Sequence, residues 1–309
     1  LIKAGGKRFR PIVTSLAGKF GEEKDNISNI IDAGVCVELI HIGSLYHDDV
    51  IDNATTRRGV ESSNSKWNST LSILAGDYLL ARSSELAAEN LGLESVKLLA
   101  STYAELVEGQ TNELNLAFNF EQNIDDYLNV IEGKTASLIR TSARLGSLAS
   151  SADSDVIEAL STWGWNCGII FQISDDILDL TSDSATLGKP AGNDILEGTY
   201  TLPVLIALNK DRDKYQEILT DIREKNIDIE NVLSEFTTKE IGGKIRFSSI
   251  DTSIYDSNAL TNNKLDSNVT FNVVSDTNDS NYPNHYTASI AELVNNKNAY
   301  VNTPFTKQD

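Results

Sequence analysis

The chain has 309 residues, of which 40% are hydrophobic and 23% are charged, and its formal net charge is -19 at pH 7. A chain of this length can bury a large core within one domain, and its negative charge would repel a phosphate backbone. We therefore expect one large domain and no nucleic-acid partner.

The two cysteines, Cys36 and Cys167, lie in apolar stretches that are typical of packing residues, and this favours a reducing cytoplasm. The first residues, LIKAGGKRFRP, lack the apolar core of a signal peptide, and no run of about eighteen apolar residues follows. We expect a cytoplasmic protein with no transmembrane segment.

From about residue 27 to residue 241, apolar residues recur every three or four positions, which is the pattern of amphipathic helices. No alternating strand pattern competes with it. The pattern predicts an all-α bundle whose long helices cover residues 27–52, 69–90, 94–118, 124–149 and 155–180.

The helical period ends near residue 243, and half of the residues from 244 to 309 are Ser, Asn, Thr or Asp. Such a composition indicates weakly structured chain or a few short strands. The sequence therefore predicts a helical domain over residues 1–243 and a separate polar region over residues 244–309.

Two aspartate clusters of identical spacing interrupt apolar helical segments. Carboxylates four residues apart share one helix face and repel each other unless a cation lies between them. Magnesium prefers oxygen ligands of this kind. A solvated acidic face would explain one such cluster, but two with apolar flanks favour metal binding, and we predict ligands at Asp48, Asp49, Asp52, Asp175, Asp176 and Asp179.

Basic residues are scarce but gather near the two aspartate clusters, while Lys134 and Lys189 are candidates that are individually weak. The groups that recognise a diphosphate are the guanidinium group of arginine, which donates paired hydrogen bonds, and the compact charged ammonium group of lysine. A single pair such as Arg57-Arg58 would usually be a solvated turn. The candidates for diphosphate binding are Lys7, Arg10, Arg57, Arg58, Lys134 and Lys189.

Nine motifs occur in a fixed order, and together they resemble the trans-type polyprenyl diphosphate synthases over about residues 1–243. They are GGKRFRP, HxxSLxHDDVxD, RRG, LAGDYLL, GQxxEL, KTASL, FQISDDILD, LGKP and EGxYTLPVL. The resemblance implies a bundle of long helices around a central cavity. It also implies a homodimer that condenses isopentenyl diphosphate with an allylic diphosphate.

The resemblance also assigns roles residue by residue. It implies about three magnesium ions per active site, held chiefly by Asp48, Asp52 and Asp175, which would neutralise the leaving diphosphate. Isopentenyl diphosphate would be held by Lys7, Arg10, His41 and Arg58. The allylic diphosphate would be held by Arg57, Lys134 and Lys189, with Thr135 and Gln172 at the reacting centre.

Product length is assigned to Gly43 and Ser44, which lie one turn before the first cluster. Bulky residues there stop elongation in the resembled family, so these small ones predict geranylgeranyl or longer products. Two alternatives are open: the small residues could simply permit close helix packing, or a deeper plug could come from Leu39, Ile40 or Tyr78.

Two features depart from the family pattern. Thr199 stands where many relatives carry lysine, and the expected C-terminal helices are not recognisable after residue 243. Two other functions are therefore considered, a non-catalytic regulatory subunit of a heteromeric synthase and a class I terpene cyclase. The intact aspartate clusters oppose the first, and the GGKRFRP motif opposes the second.

Overall fold

The computed structural model describes residues 5–23, 26–181 and 191–237, together with the backbone of three short strands at 246–248, 270–274 and 286–289. Among the described residues up to 237 the fold is all-α, as predicted, apart from one hairpin whose two strands have two residues each. The long helices are α1 (Phe9–Ala17), α2 (Ile27–Ile51), α4 (Ser69–Asn90), α5 (Gly92–Leu116), α7 (Ser137–Ala149) and α8 (Ser154–Thr181).

Shorter elements connect and follow these helices. They are β1 (Thr56–Arg57), β2 (Val60–Glu61), α3 (Ser63–Lys66), α6 (Ile124–Ile131), a π-helical segment (Glu132–Ala136), α9 (Asn193–Glu197), α10 (Leu202–Lys210), α11 (Arg212–Arg223), a 3-10 turn (Ile229–Asn231) and α12 (Leu233–Phe236).

The chain divides into two compact units. The first comprises Leu1–Asn115 and Leu128–Gln172, and the second comprises Leu116–Tyr127 and Ile173–Asp309. The predicted domain boundary near residue 243 falls inside the second unit and stays a prediction.

Helix α2 is the central element of the first unit, where it packs against α1, α4 and α7. Its core face carries Ala33, Cys36, Val37 and Ile40, which are at most 3% exposed. Cys36 is thus a packing residue, as its apolar surroundings predict.

Two glycines allow helix backbones to touch in this unit. A Cβ atom at position 146 would lie 2.1 Å from the backbone oxygen of Thr14, and one at position 43 would lie 3.2 Å from the backbone oxygen of Gly76. A side chain at position 146 would push α1 from α7, so only glycine fits there, whereas one at position 43 would make an unusually tight contact between α2 and α4.

By length and composition, α2 is also the one helix in the described ranges that could cross a membrane. One face of α2 belongs to the core of the first unit, whereas Ile27, Ile31 and Val35 on it are exposed. The core helix of a globular protein passes the same test of length and composition.

The second unit builds its own small core. Tyr200 stacks on Phe120 at a ring-centroid distance of 5.5 Å, and Phe236 packs on Tyr215. Farther along the chain, β3 (Arg246–Ser248), β4 (Thr270–Val274) and β5 (Tyr286–Ser289) form an antiparallel sheet in the order β3-β4-β5. Short strands were one of the two expectations for this region.

Candidate functional site

The first aspartate cluster lies at the C-terminal end of α2, and its members have different environments. Asp48 is partly buried and lines a cavity, Asp49 is 1% exposed, and Asp52 is exposed where the helix ends. Burial raises the pKa of Asp48, while Lys134 and Arg57 act in the opposite direction. Asp48 is therefore the member whose charge faces the cavity.

Asp49 turns away from that cavity and joins α2 to the β1–β2 hairpin. Its carboxylate accepts a hydrogen bond from Nε of Arg57 in β1. Its backbone oxygen accepts one from Nδ2 of Asn64, at 2.9 Å. Arg58 and Gly59 form the two-residue turn of the hairpin, with φ angles of 54° and 73° that suit a type I′ turn.

Four arginines surround His41 on α2. Burial lowers the pKa of His41 to about 2, and the charges of Arg10, Arg58, Arg57 and Arg8 act in the same direction. Arg10 is itself buried, with an unpartnered Nε atom, and burial lowers its pKa to about 10. His41 is thus a neutral group beside a cationic cluster, two of whose arginines already bind carboxylates, and the remaining positive charge suits an anionic ligand.

This environment predicts that acid destabilises the protein through His41. In the unfolded chain His41 would titrate near 6.5. Below that pH only the unfolded state binds the proton, so unfolding becomes more favourable by up to about 1.4 kcal/mol per pH unit. Above that pH both states are neutral and the contribution is constant.

Urea unfolding of the wild type and of His41→Gln between about pH 5 and pH 7.5 measures this effect. We expect the wild-type free energy of unfolding to fall more steeply with acidification than that of the variant. Equal slopes for the two proteins would contradict the neutral, buried state of His41.

The cavity itself has a volume of about 380 Å³ and lies between α2, α5 and α7 in the first unit. One part of its wall is polar, with Arg10, His41, Asp48, Gln110, Lys134 and Thr135. Another part is apolar and includes Tyr103, Leu106, Val107 and Leu138. A ligand with a charged head and an apolar tail fits such a lining.

Lys134 and Thr135 project from the π-helical segment between α6 and α7, a local widening that is frequent at functional sites. Lys134 forms an ion pair with Glu113 of α5. The hydroxyl of Thr135 donates to Oε1 of Gln172 at 2.6 Å. The structure therefore brings together Thr135 and Gln172, which the sequence had assigned to the same centre.

The second aspartate cluster lies in α8, within the second unit, and differs from the first in that its last aspartate is buried. Asp175 is exposed, whereas Asp176 and Asp179 are buried. The hydroxyl of Tyr127 donates to Oδ2 of Asp176 at 2.6 Å, and Asp179 lies near the backbone N–H of Asp194 at 3.4 Å. In each cluster, the first aspartate is the more accessible member of the DD pair.

The remaining predicted residues have less decisive positions. Lys7 is exposed just before α1, and Arg58 donates to the backbone oxygen of Gly5. Ser44 lines the cavity, whereas Gly43 packs against Gly76 and Leu80 of α4, so its surroundings favour the close-packing alternative. Lys189 lies outside the described residues.

The donor chemistry of the two clusters fits a hard divalent cation. Asp48 and Asp52 present carboxylates one helical turn apart. Within the described residues, no group of three or more His, Cys, Asp or Glu side chains forms a complete metal site. Magnesium needs none, because it is typically held by one or two carboxylates, water and phosphate oxygens of a substrate.

Sequence reasoning missed several residues of the site. Tyr103 and Gln110 line the cavity, Glu113 binds Lys134, and Tyr127 binds Asp176. The GQxxEL motif contains Gln110 and Glu113, so its presence was a signal without an assigned role. Nothing in the sequence pairs Tyr127 with Asp176.

Comparisons with known proteins show what this chain is similar to. The family model for polyprenyl synthetases matches residues 1–237. Nonaprenyl diphosphate synthase of Mycobacterium tuberculosis is 46% identical over 210 residues, which are 68% of this chain and 62% of that protein. Heptaprenyl diphosphate synthase component 2 of Bacillus subtilis is 40% identical over 235 residues, which are 76% of this chain and 67% of that protein.

Among solved structures, the polyprenyl synthase of Caulobacter crescentus in complex with calcium and isoprenyl diphosphate is similar to this chain. The TM-score is 0.70 and the identity 32%, covering 79% of this chain and 73% of that one. The match to the mycobacterial protein spans less than two thirds of that relative's length.

Proposed function

Because the chain belongs to the polyprenyl synthetase family, we propose that it condenses isopentenyl diphosphate with an allylic diphosphate, giving geranylgeranyl or a longer polyprenyl diphosphate. The observation that carries this proposal is the cavity of the first unit. Its lining includes Asp48, Lys134, Arg10 and His41 as well as apolar side chains.

The charged residues of this region can be assigned to two substrates, because different residues would bind each of the two diphosphates. The cationic cluster of Arg10, Arg57 and Arg58 around neutral His41 would hold isopentenyl diphosphate through Arg10, His41 and Arg58, with exposed Lys7 as a further contact. Lys134, with Arg57, would hold the allylic diphosphate. Thr135 and Gln172, which bond to each other, would line the reacting centre.

Magnesium bound by Asp48, Asp52 and Asp175 would neutralise negative charge on the departing diphosphate. The crystal structure of the relative from Caulobacter crescentus contains calcium and isoprenyl diphosphate, which supports a divalent cation in this family. Asp49, Asp176 and Asp179 would support these ligands from buried positions. The carbon–carbon bond forms when the double bond of isopentenyl diphosphate attacks the allylic carbon as the bond from that carbon to its diphosphate breaks. The resulting carbocation then loses a proton to the released diphosphate and becomes the product.

The activity is tested by incubating the purified chain with magnesium, isopentenyl diphosphate and either farnesyl or geranylgeranyl diphosphate. We expect consumption of isopentenyl diphosphate and products longer than farnesyl diphosphate on mass spectrometry. If isopentenyl diphosphate were not consumed with any allylic primer, the proposal that this chain is active without another subunit would be wrong.

Ser44 is the product-length residue that the cavity supports best. It lies on α2 one turn before Asp48 and borders the cavity, with Tyr103 and Leu106 of α5 also in the lining. We predict that Ser44→Phe shortens the main product by at least one isoprene unit, because the ring would occupy space that the growing tail needs. Product sizing by mass spectrometry checks this.

Two further variants make the test specific. Gly43→Ala should lower stability rather than change product length, because its Cβ would crowd the Gly76 backbone. Tyr103→Ala enlarges the other side of the cavity and should leave products the same length or longer. An unchanged length distribution in Ser44→Phe would argue against a tail at this position.

A second candidate function is a synthase subunit that needs another chain for activity. The observation that favours it is the similarity to component 2 of a heptaprenyl diphosphate synthase, whose name implies a second component. The discriminating result is an inactive chain that gains turnover when a candidate partner is added. Activity of the purified chain alone would support the first candidate instead.

A homodimer is the assembly that the surface of the first unit supports. Leu71, Leu74 and Tyr78 are exposed on one face of α4, at helical spacing. Exposed apolar faces of this kind commonly mark contacts between subunits, and symmetric dimers are the commonest oligomers. We propose that a second copy of the chain covers this face.

We therefore predict that Leu74→Glu converts a dimer into a monomer in sedimentation-velocity measurements, because it places a charge within the covered face. Ile31→Glu on α2 is the matched control, since Ile31 is also an exposed apolar residue, on a different helix. A wild-type monomer, or a dimer that survives Leu74→Glu, would contradict this assignment.

The cytoplasm is the compartment that we propose. Cys36 is fully buried, and burial raises the pKa of the thiols of Cys36 and Cys167 to about 11. Neither is suited to form a disulfide, which agrees with a reducing compartment.

A further inference from the structure

The GQxxEL motif on α5 contains two residues to which the proposed function assigns no role, Gln110 and Glu113. We propose that Glu113 is a positioning residue, braced by Gln110, that holds the ammonium group of Lys134 in place for the allylic diphosphate. This inference rests on the proposed function, because it concerns the same substrate.

The contacts form a short chain from α5 to the π-helical segment. Nζ of Lys134 donates to Oε2 of Glu113. Nε2 of Gln110 donates to the same oxygen at 3.1 Å. Gln110 and Lys134 both line the cavity, so the carboxylate fixes two side chains that face a bound ligand.

The backbone of this region is built to bring these groups together. A Cβ atom at position 109 would lie 2.5 Å from the backbone nitrogen of Lys134, and one at position 133 would lie 2.8 Å from the backbone oxygen of Glu105. Helix α5 and the π-helical segment therefore touch through two glycines. Glu113, one turn beyond Gly109, is brought within reach of Lys134 by this contact.

Lysine has a long, flexible side chain and makes no directional fork, so its position depends on its partners. Burial alone would lower the pKa of Lys134, but the charges of Glu113, Asp48 and Asp52 outweigh it and raise the pKa. Because Lys134 has three N–H donors and Glu113 accepts one, two others can reach a diphosphate. Glu113 thus orients the cation without using all of its donors.

The same contacts would also be found if Glu113 hindered binding of the diphosphate. A carboxylate next to a diphosphate site also repels the ligand, and a bound diphosphate could displace it from Lys134. Removal of the charge would then tighten binding, whereas loss of a positioning group weakens it. The sign of the change therefore decides between the two roles.

The first test measures binding of farnesyl thiodiphosphate, an unreactive allylic analogue, by isothermal titration calorimetry in the presence of magnesium. We expect Glu113→Gln to weaken binding about 10- to 100-fold, as for the loss of a charged hydrogen bond. Glu108→Gln, which makes the same charge change at an exposed position on α5, should bind like the wild type.

A double-mutant cycle shows whether Glu113 acts through Lys134. In a Lys134→Met background, Glu113→Gln should have little further effect on the dissociation constant, because its partner is already gone. In the active enzyme, Glu113→Gln should raise KM for the allylic diphosphate and leave KM for isopentenyl diphosphate unchanged. Tighter binding, additive effects in the cycle, or equal rises in both KM values would overturn the proposal.

A second readout needs no substrate. Limited acetylation followed by peptide mass spectrometry reports how readily each lysine reacts. We expect Lys134 to be acetylated several-fold faster in Glu113→Gln than in Glu108→Gln, with other lysines unchanged. An unchanged acetylation rate at Lys134 would refute the positioning of Lys134 by Glu113. Failure of the wild-type protein to bind farnesyl thiodiphosphate would instead refute the proposed function.

Discussion

Asp48→Asn is expected to reduce turnover roughly 10²- to 10³-fold, the size of effect seen when one electrostatic contributor is removed from an active site. The substitution keeps the shape of the side chain but removes the charge that faces the cavity and would bind magnesium. Steady-state turnover with saturating magnesium and both diphosphates measures the effect.

The fold should not suffer from this change. Burial raises the pKa of Asp48, so its charged form is disfavoured where it lies, and a neutral amide should be tolerated. Urea unfolding should give a free energy within about 1 kcal/mol of the wild type. Asp32→Asn, on the same helix but away from the cavity, is the control for turnover, and near-normal activity of Asp48→Asn would remove Asp48 from the site.

Arg57→Ala is expected to reduce the free energy of unfolding by about 3 kcal/mol, the low end of the range for breaking a buried ion pair. Asp49 is 1% exposed and would be left without the guanidinium that it binds, whereas Arg57 itself keeps some contact with water. Urea unfolding near pH 7 measures the loss, and the hairpin should become more mobile.

Arg82→Ala supplies the comparison, because Arg82 forms an ion pair with Glu85 in which both side chains are about half exposed. Removing it should cost less than about 1 kcal/mol. If Arg57→Ala were no more destabilising than Arg82→Ala, the pair with Asp49 would be incidental, and Arg57 would serve only the substrate.

Together, these two results would separate neighbouring carboxylates with different tasks. Asp48 would be needed for turnover and not for stability, whereas the ion pair of Asp49 would be needed for stability. Asp175 and Asp176 repeat this division in the second unit, where Tyr127 takes the place of Arg57 as the partner of the buried aspartate.

The sequence by itself determined the helical architecture and the family of this protein. Helical periodicity reflects which face of each segment is apolar, and that is a local property, so the long helices begin and end close to their predicted limits. The order of the nine motifs is also a property of the linear sequence, and it identified the family before any contact was known.

Only the tertiary structure decided which side chains meet. It placed Asp48 in the cavity and Asp49 against Arg57, although the two are neighbours in sequence, because successive helical residues point in directions about 100° apart. It also placed Gly43 against α4 and Glu113 against Lys134. Such contacts join residues that are far apart in the chain, and they depend on how closely the helix backbones approach each other. The linear pattern of apolar and polar residues does not encode that approach.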